Sequence, residues 1–192
     1  MRRVRYGVAM SLDGYIAGPG GEYDWIVMEP DIDFRALMAR FDTFLVGRKT
    51  WEVMTAQGPG GRTRGIEHVV FSRTLEPAAH PGLRIVSGDA RAAVLALKEK
   101  PGKEIALFGG GELFRSLLAE GVVDTVEVAV IPVLLGGGIP LLASPGPRAK
   151  LRLTGHRVYD KTGTVLLEYE VLGFSKRLRS PRRATPGRRR AS

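Results

Sequence analysis

A chain of 192 residues has the length of one domain, since domains usually run to about 100–200 residues, and 44% hydrophobic with 26% charged residues is a folded globular composition. No cysteine is present, which excludes a disulfide scaffold, a thiolate metal site and a cysteine nucleophile, while His68, His80 and His156 are too scattered to suggest a zinc ligand set. The net charge of +9 is local: Lys176, Arg177, Arg179, Arg182, Arg183, Arg188, Arg189 and Arg190 are eight of the 29 cations, so the remaining 21 nearly balance the 20 acids.

Residues 1–173 are therefore expected to form the folded domain, and 174–192 a flexible basic tail whose contact with nucleic acid is weak if it occurs at all. No apolar run approaches the roughly 20 residues of a membrane span. Met1-Arg2-Arg3 leads straight into a strand-like segment, so the expected location is cytoplasmic, with no membrane partner.

In chain order, Arg3 to Met10 reads as a strand and Gly14 to Gly21 as a glycine-rich loop. Phe34, Leu37, Met38 and Phe41 fall at i, i+3, i+4 and i+7, which predicts an amphipathic helix starting just after Pro30 with acids in its first turn. Thr43 to Val46 is a buried strand that turns at Gly47 into a second helix, ended by a Gly/Pro/Arg loop over 57–65. His68 to Ser72 and Leu83 to Val86 are strands, and Asp89 caps a helix with Ala90, Ala93, Val94 and Leu97 on one face, stopped by Pro101-Gly102. Ile105 to Phe108, Gly109-Gly110-Gly111 and a helix through Leu113, Phe114, Leu117 and Leu118 form another strand–turn–helix unit. Val126 to Val130, Leu151 to Val158 and Thr164 to Leu172 are β-rich, with Lys161-Thr162-Gly163 as a hairpin turn. The alternation predicts a three-layer α/β fold: a mainly parallel sheet, helices on both faces, and a C-terminal antiparallel hairpin.

Ligands of such sheets bind beyond the carboxyl ends of the strands. The junctions at Gly47 and at Gly109-Gly110-Gly111 place helix-start amides there, where the dipole favours an anion such as phosphate. Arg48, Lys49 and Thr50 adjoin the first junction, and Ser72-Arg73 end a neighbouring strand with a hydroxyl and a guanidinium suited to phosphate. Close packing of helix on sheet explains three glycines equally well. Asp31 and Asp33 are candidate acids for proton transfer, and helix capping explains either of them too. Asp13 reads as a turn former, Trp25 and Trp51 as core.

Five blocks in order resemble one superfamily: Met10-Ser11-Leu12-Asp13-Gly14-Tyr15-Ile16-Ala17, Phe44 to Glu52, Val69-Val70-Phe71-Ser72-Arg73, Ile105 to Leu118, and Ile131 to Gly138. The resemblance, over about residues 3–172, is to dihydrofolate reductase-like proteins, and within them to the reductase domain of bifunctional riboflavin-biosynthesis deaminase-reductases, here standing alone. It implies NADPH as cofactor, with Gly47, Arg48, Lys49, Thr50, Ser72 and Arg73 at the adenosine end and 2′-phosphate. Gly109, Gly110, Gly111 and Glu112 would receive the pyrophosphate, Phe108 and Leu113 beside them would also contact the cofactor, Ala9 would lie at the nicotinamide, and Ile16 and Ala17 would cover it. Counting sixteen positions back from Gly47 puts the superfamily's catalytic acid on Asp31. Ala129 stands near the position of the folate enzymes' supporting threonine, Gly7 where riboflavin-type reductases have a lysine, and Met38 near the place of their phosphate-binding arginine.

The implied activity is hydride transfer to a small pteridine- or aminopyrimidine-like heterocycle, as in a 5-amino-6-(5-phosphoribosylamino)uracil reductase. The alternative is a non-catalytic nucleotide-binding module or a protein carried to nucleic acid by its tail. The apolar stretch Val126 to Leu142 suggests a homodimer.

Overall fold

The computed structural model describes residues 1–56 and 65–174. Except for Gly65, the expected 57–65 loop lies outside the described residues, and so does the basic segment after Phe174. The strands of the main sheet are β1 (Val4–Ser11), β3 (Phe41–Gly47), β4 (Glu67–Phe71), β5 (Arg84–Val86), β6 (Glu104–Phe108), β7 (Thr125–Ile131), β9 (Ala149–Tyr159) and β10 (Thr164–Phe174). Two short strands, β2 (Tyr15–Ala17) and β8 (Ile139–Pro140), pair with each other, and the helices are α1 (Phe34–Met38), α2 (Arg48–Ala56), α3 (Ala90–Glu99) and α4 (Gly111–Ala119).

The eight strands lie in the order β5-β4-β3-β6-β1-β7-β10-β9. Pairings from β5 to β7 are parallel, and β10 pairs antiparallel with β7 and β9, which is the architecture expected from the alternation of strands and helices. Strand alternation divides the apolar residues between two faces. Val4 and Tyr6 of β1, Ile105 and Leu107 of β6, and Val126 and Val128 of β7 pack against Val94 and Leu97 of α3 and Phe114, Leu117 and Leu118 of α4. The Tyr6 and Phe114 rings stack at 3.9 Å. On the other face Phe44, Val46, Val70 and Ala106 pack with Trp51 of α2 and with Leu37 and Met38 of α1. A fully buried side chain of this size contributes about 1.5–3 kcal/mol, so both helical layers are held by the sheet rather than by helix propensity, which is weak for short helices.

Three expectations need correction. The first helix is shorter than its apolar stripe: α1 begins after its cap Asp33, has no acid in its first turn, and ends at Met38. Phe41, placed on that helix by its spacing, opens β3 and is buried in the same cluster, because one apolar residue can satisfy helix and strand periodicities alike. The glycine-rich loop over 14–21 contains β2, too short to show a period. The apolar strand within Val126 to Leu142 is no outer surface: β7 is flanked by β1 and β10, with Val126, Val128 and Ile131 buried. Large exposed apolar side chains lie in the rest of that stretch, at Leu134 and Ile139, and on the outermost strand β9, at Leu151, Leu153 and Val158.

Candidate active site

The carboxyl ends of β3, β4 and β6 lie side by side, with Gly47 in register with Phe71 and Val46 with Phe108. This brings the two glycine junctions together. A Cβ on Gly47 would sit 3.8 Å from that of Leu113, and one on Gly109 would come 2.7 Å from the Thr50 methyl. Gly109 and Gly110 take φ of 77° and 73°, a region that favours glycine, and a Cβ on Gly111 would lie 2.5 Å from the Pro140 carbonyl oxygen. Packing thus accounts for the glycines. A second observation points to an anion: Gly110, the N-cap of α4, has no side chain to accept a hydrogen bond, so the first-turn amides of this helix keep their donors.

The charged residues around this edge differ in their freedom. Arg48 donates to Glu52 at 2.6 Å, both about half-exposed, a pair that a stronger anion can displace. Lys49 and Arg73 are exposed, and among the described residues neither forms an ion pair. Ser72 is buried, its oxygen accepting the Thr74 and Leu75 amides at 3.1 and 3.0 Å, so its hydroxyl shapes the turn that presents Arg73. Glu112 is exposed and paired with Arg115. These residues fit the phosphate-bearing parts of a dinucleotide: helix-start amides with no side-chain cap, and cations that among the described residues are unpaired or loosely held.

Next to this edge, on the α1 face, lies a cleft of about 450 Å³ lined by the sheet, α1 and the segment 26–32. Ala9 and Phe108 line it, so two of the expected cofactor residues reach the cleft while the glycines and cations stay at its rim. Ile16 and Ala17 lie on β2, which β8 ties toward the start of α4. The Asp13 carboxylate anchors these loops, accepting from the Ser11 hydroxyl at 2.6 Å and the Leu135 and Gly136 amides at 3.1 and 2.7 Å. The bond from Ser11, then those from the two amides, hold its pKa below the ordinary aspartate range. Of the tryptophans, Trp51 is core and Trp25 is half-buried in the loop.

Asp31 does not line the cleft: its carboxylate pairs with Lys161 Nζ at 2.7 Å in the β9–β10 turn. Asp33 caps α1, accepting from the Ala36 amide at 2.9 Å. The acid of this segment that does line the cleft is Glu29, 3% exposed, which accepts from the Thr162 hydroxyl and from the Asp31 amide. Sequence reasoning missed it because a glutamate before a proline in a loop has no periodicity to single it out.

The inner end of the cleft holds an ion network that sequence reasoning also missed, although charges inside otherwise apolar central strands are the signal for one. Arg5 of β1, its side chain 6% exposed, donates from Nε to Glu104 at 2.9 Å and from Nη1 to Glu127 at 2.8 Å, and pairs with Glu168 at 3.1 Å. Arg40 approaches Glu104 and Glu127 at 3.3 and 3.7 Å. Burial works against the Arg5 charge, but its bond to Glu104 and the nearby carboxylates outweigh burial and raise its pKa. Burial likewise pushes Glu104 up, and the bond and charge of Arg5 with the charge of Arg40 overcome it, leaving Glu104 below the ordinary range. Among the described residues no group of His, Asp and Glu could hold a metal ion, and no helix is long and apolar enough to cross a membrane.

The sequence model of the RibD C-terminal domain family matches residues 2–165. The chain is 31% identical over 179 residues to the protein YyaP of Bacillus subtilis (strain 168), covering 88% of this chain and 94% of that protein. Among solved structures, a diaminohydroxyphosphoribosylaminopyrimidine deaminase/5-amino-6-(5-phosphoribosylamino)uracil reductase from Thermotoga maritima is 19% identical with a TM-score of 0.65, covering 88% of this chain and 56% of that one. Dihydrofolate reductase from Enterococcus faecalis, complexed with NADP(H), is 16% identical with a TM-score of 0.64, covering 88% and 96%. At these identities the two structures share the fold.

The lowered pKa of Glu104 sets a pH dependence. An unperturbed glutamate titrates near about 4.3, so Glu104 adds stability above that value and loses it as pH falls through its lower folded pKa. Glu104→Gln is expected to lower the thermal midpoint clearly at pH 7, with the gap to the unmodified protein closing below about pH 4. A gap constant across the same range, measured by circular dichroism, would contradict this.

Proposed function

This chain belongs to the RibD C-terminal domain family, and from that premise we propose that it is an NADPH-dependent reductase acting on a small pteridine- or aminopyrimidine-like heterocycle. The observation that carries the proposal is one of position. A rim of helix-start amides without a side-chain cap, and of cations unpaired or loosely held among the described residues, adjoins a largely apolar cleft, and Ala9 and Phe108 belong to the cleft. Bound NADPH would supply the hydride. The chain's own part is to bind and orient. Arg48, Lys49 and Arg73 would take the 2′-phosphate, the amides after Gly110 the pyrophosphate, and Thr50 would pack behind Gly109. Ile16 and Ala17 would close over the nicotinamide end, and the apolar walls would exclude water from the transfer. The relative from Thermotoga supports a pyrimidine by its name and fold alone.

Two carboxylates compete for the proton. Asp31 is the acid that the resemblance implies, while Glu29 is the acid that faces the cleft, held by the Thr162 hydroxyl and the Asp31 amide. That geometry favours Glu29, with Asp31 holding the segment through Lys161. A homodimer also belongs to this reading, formed through the exposed apolar side chains of β9.

Equilibrium titration should give NADPH binding much tighter than NADH, and Arg73→Ala should narrow the preference by roughly ten- to hundredfold, the worth of one charge-assisted contact; equal affinities in the unmodified protein would sink the cofactor assignment. Steady-state kinetics should show Glu29→Gln lowering turnover by about 10²–10⁴-fold at unchanged NADPH affinity, with Asp31→Asn within about tenfold. The reverse pattern returns the proton to Asp31. Light scattering should give twice the 20.9 kDa chain mass, and a monomer at micromolar concentration would refute the dimer.

A further inference from the structure

The helices that leave the carboxyl ends of the strands do not all carry their charges in the same sense. In α3 the acid Asp89 caps the start and Lys98 stands in the last turn, and in α4 Glu112 lies in the first turn with Arg115 three residues later. Both follow the helix dipole, which favours acids at the start and cations toward the end. Helix α2 reverses the order. It opens on Arg48 and Lys49, has no acid in its first turn, and places Glu52 one turn further on. Cations at the positive end of a helix work against its stability, so this arrangement answers to something other than the helix.

The bond that Arg48 makes has the character of a resting state. Its Nη1 donates to Glu52 Oε1 at 2.6 Å, while Nε and Nη2 have no partner among the described residues. Both side chains are about half-exposed, and a pair so placed contributes little. A carboxylate here offers one bond and one negative charge. A phosphate monoester brings about two negative charges and three acceptor oxygens, and a guanidinium takes it through two parallel bonds. Glu52 therefore holds Arg48 only until a phosphate arrives. The place is right for one: Thr50, in the same first turn, packs against Gly109 and lies within 3.5 Å of where a Cβ on Gly110 would sit, so Arg48 belongs to the turn that meets the start of α4.

We infer that Glu52 is a specificity-determining residue, an internal stand-in for the 2′-phosphate of the cofactor. It occupies Arg48 when that phosphate is absent and is displaced when the phosphate binds. NADH, with a ribose hydroxyl in that place, leaves the bond between Arg48 and Glu52 intact, whereas NADPH breaks it and forms a stronger one. Glu52 thus lowers the affinity for NADPH without touching that for NADH, and it keeps an otherwise open guanidinium from taking weaker anions. This rests on the NADPH reading in taking Arg48 as a ligand of the 2′-phosphate.

Calorimetric titration of NADPH, NADH, adenosine 2′,5′-bisphosphate and 5′-ADP into the full-length protein, Glu52→Gln, Arg48→Met and the double variant separates the contributions. Glu52→Gln should tighten NADPH and the bisphosphate roughly two- to fivefold, as expected when an exposed ion pair no longer competes, and should leave NADH and 5′-ADP unchanged. Arg48→Met should weaken NADPH roughly tenfold or more. In that background Glu52→Gln should give no further gain, because Glu52 acts through Arg48. A role confined to helix stability produces no gain of affinity, and none that singles out the 2′-phosphate. An NADPH affinity unchanged or weakened by Glu52→Gln, an equal gain for NADH, or a gain that persists without Arg48 would overturn the inference. Equal affinities of the unmodified protein for NADPH and NADH would overturn the NADPH reading and the inference with it, so the two failures are told apart.

Discussion

The guanidinium of Arg5 is the interaction on which the arrangement of the cleft depends. It sits on the central strand β1 and binds Glu104 of β6, Glu127 of β7 and Glu168 of β10, so one buried cation joins four neighbouring strands at mid-sheet. Removing one partner from a buried network costs about 3–5 kcal/mol, because a charge is left without compensation. The same network makes up the polar end of the cleft. Stability and the polarity of the cleft are therefore coupled at one residue.

Around that centre the sheet separates two tasks by position along its strands. The carboxyl ends, where parallel strands give way to helices, collect glycines, amides and cations. The middle of the α1 face collects aromatic surface and carboxylates. The two are bridged by loops, and Asp13 does much of the bridging: its carboxylate gathers Ser11, Leu135 and Gly136, which steadies the connections on both sides of the β2–β8 pair. The acid of the Ser11-Leu12-Asp13-Gly14 block thus acts on loop geometry.

The layers and most elements were legible in the sequence because their signals are local. Asp89 caps α3 as expected, Gly109 to Gly111 turn β6 into α4, and the hairpin at Lys161-Thr162-Gly163 joins β9 to β10. Phe41 was misplaced because its spacing suits the end of a helix as well as the start of a strand, and the sheet decided the matter. In the candidate site the glycines, Arg48, Lys49 and Arg73 could be found from their junctions. Glu29 could not. Its role depends on the hairpin carrying Thr162, more than a hundred residues away in sequence, and pairings of that range leave no trace in local periodicity. Asp31 shows the converse: counting along the chain finds the position, but only the fold shows its side chain turned to Lys161.

The central claim is that the reducible ring and the nicotinamide meet in the cleft over β1. Intermolecular nuclear Overhauser contacts in the complex with NADP⁺ test this directly. The account predicts contacts from the nicotinamide ring protons to the Ala9 methyl and the Phe108 ring, together with contacts from the adenosine protons to residues near Arg48 and Arg73. Nicotinamide contacts confined to another face of the sheet, with Ala9 and Phe108 silent, would contradict it.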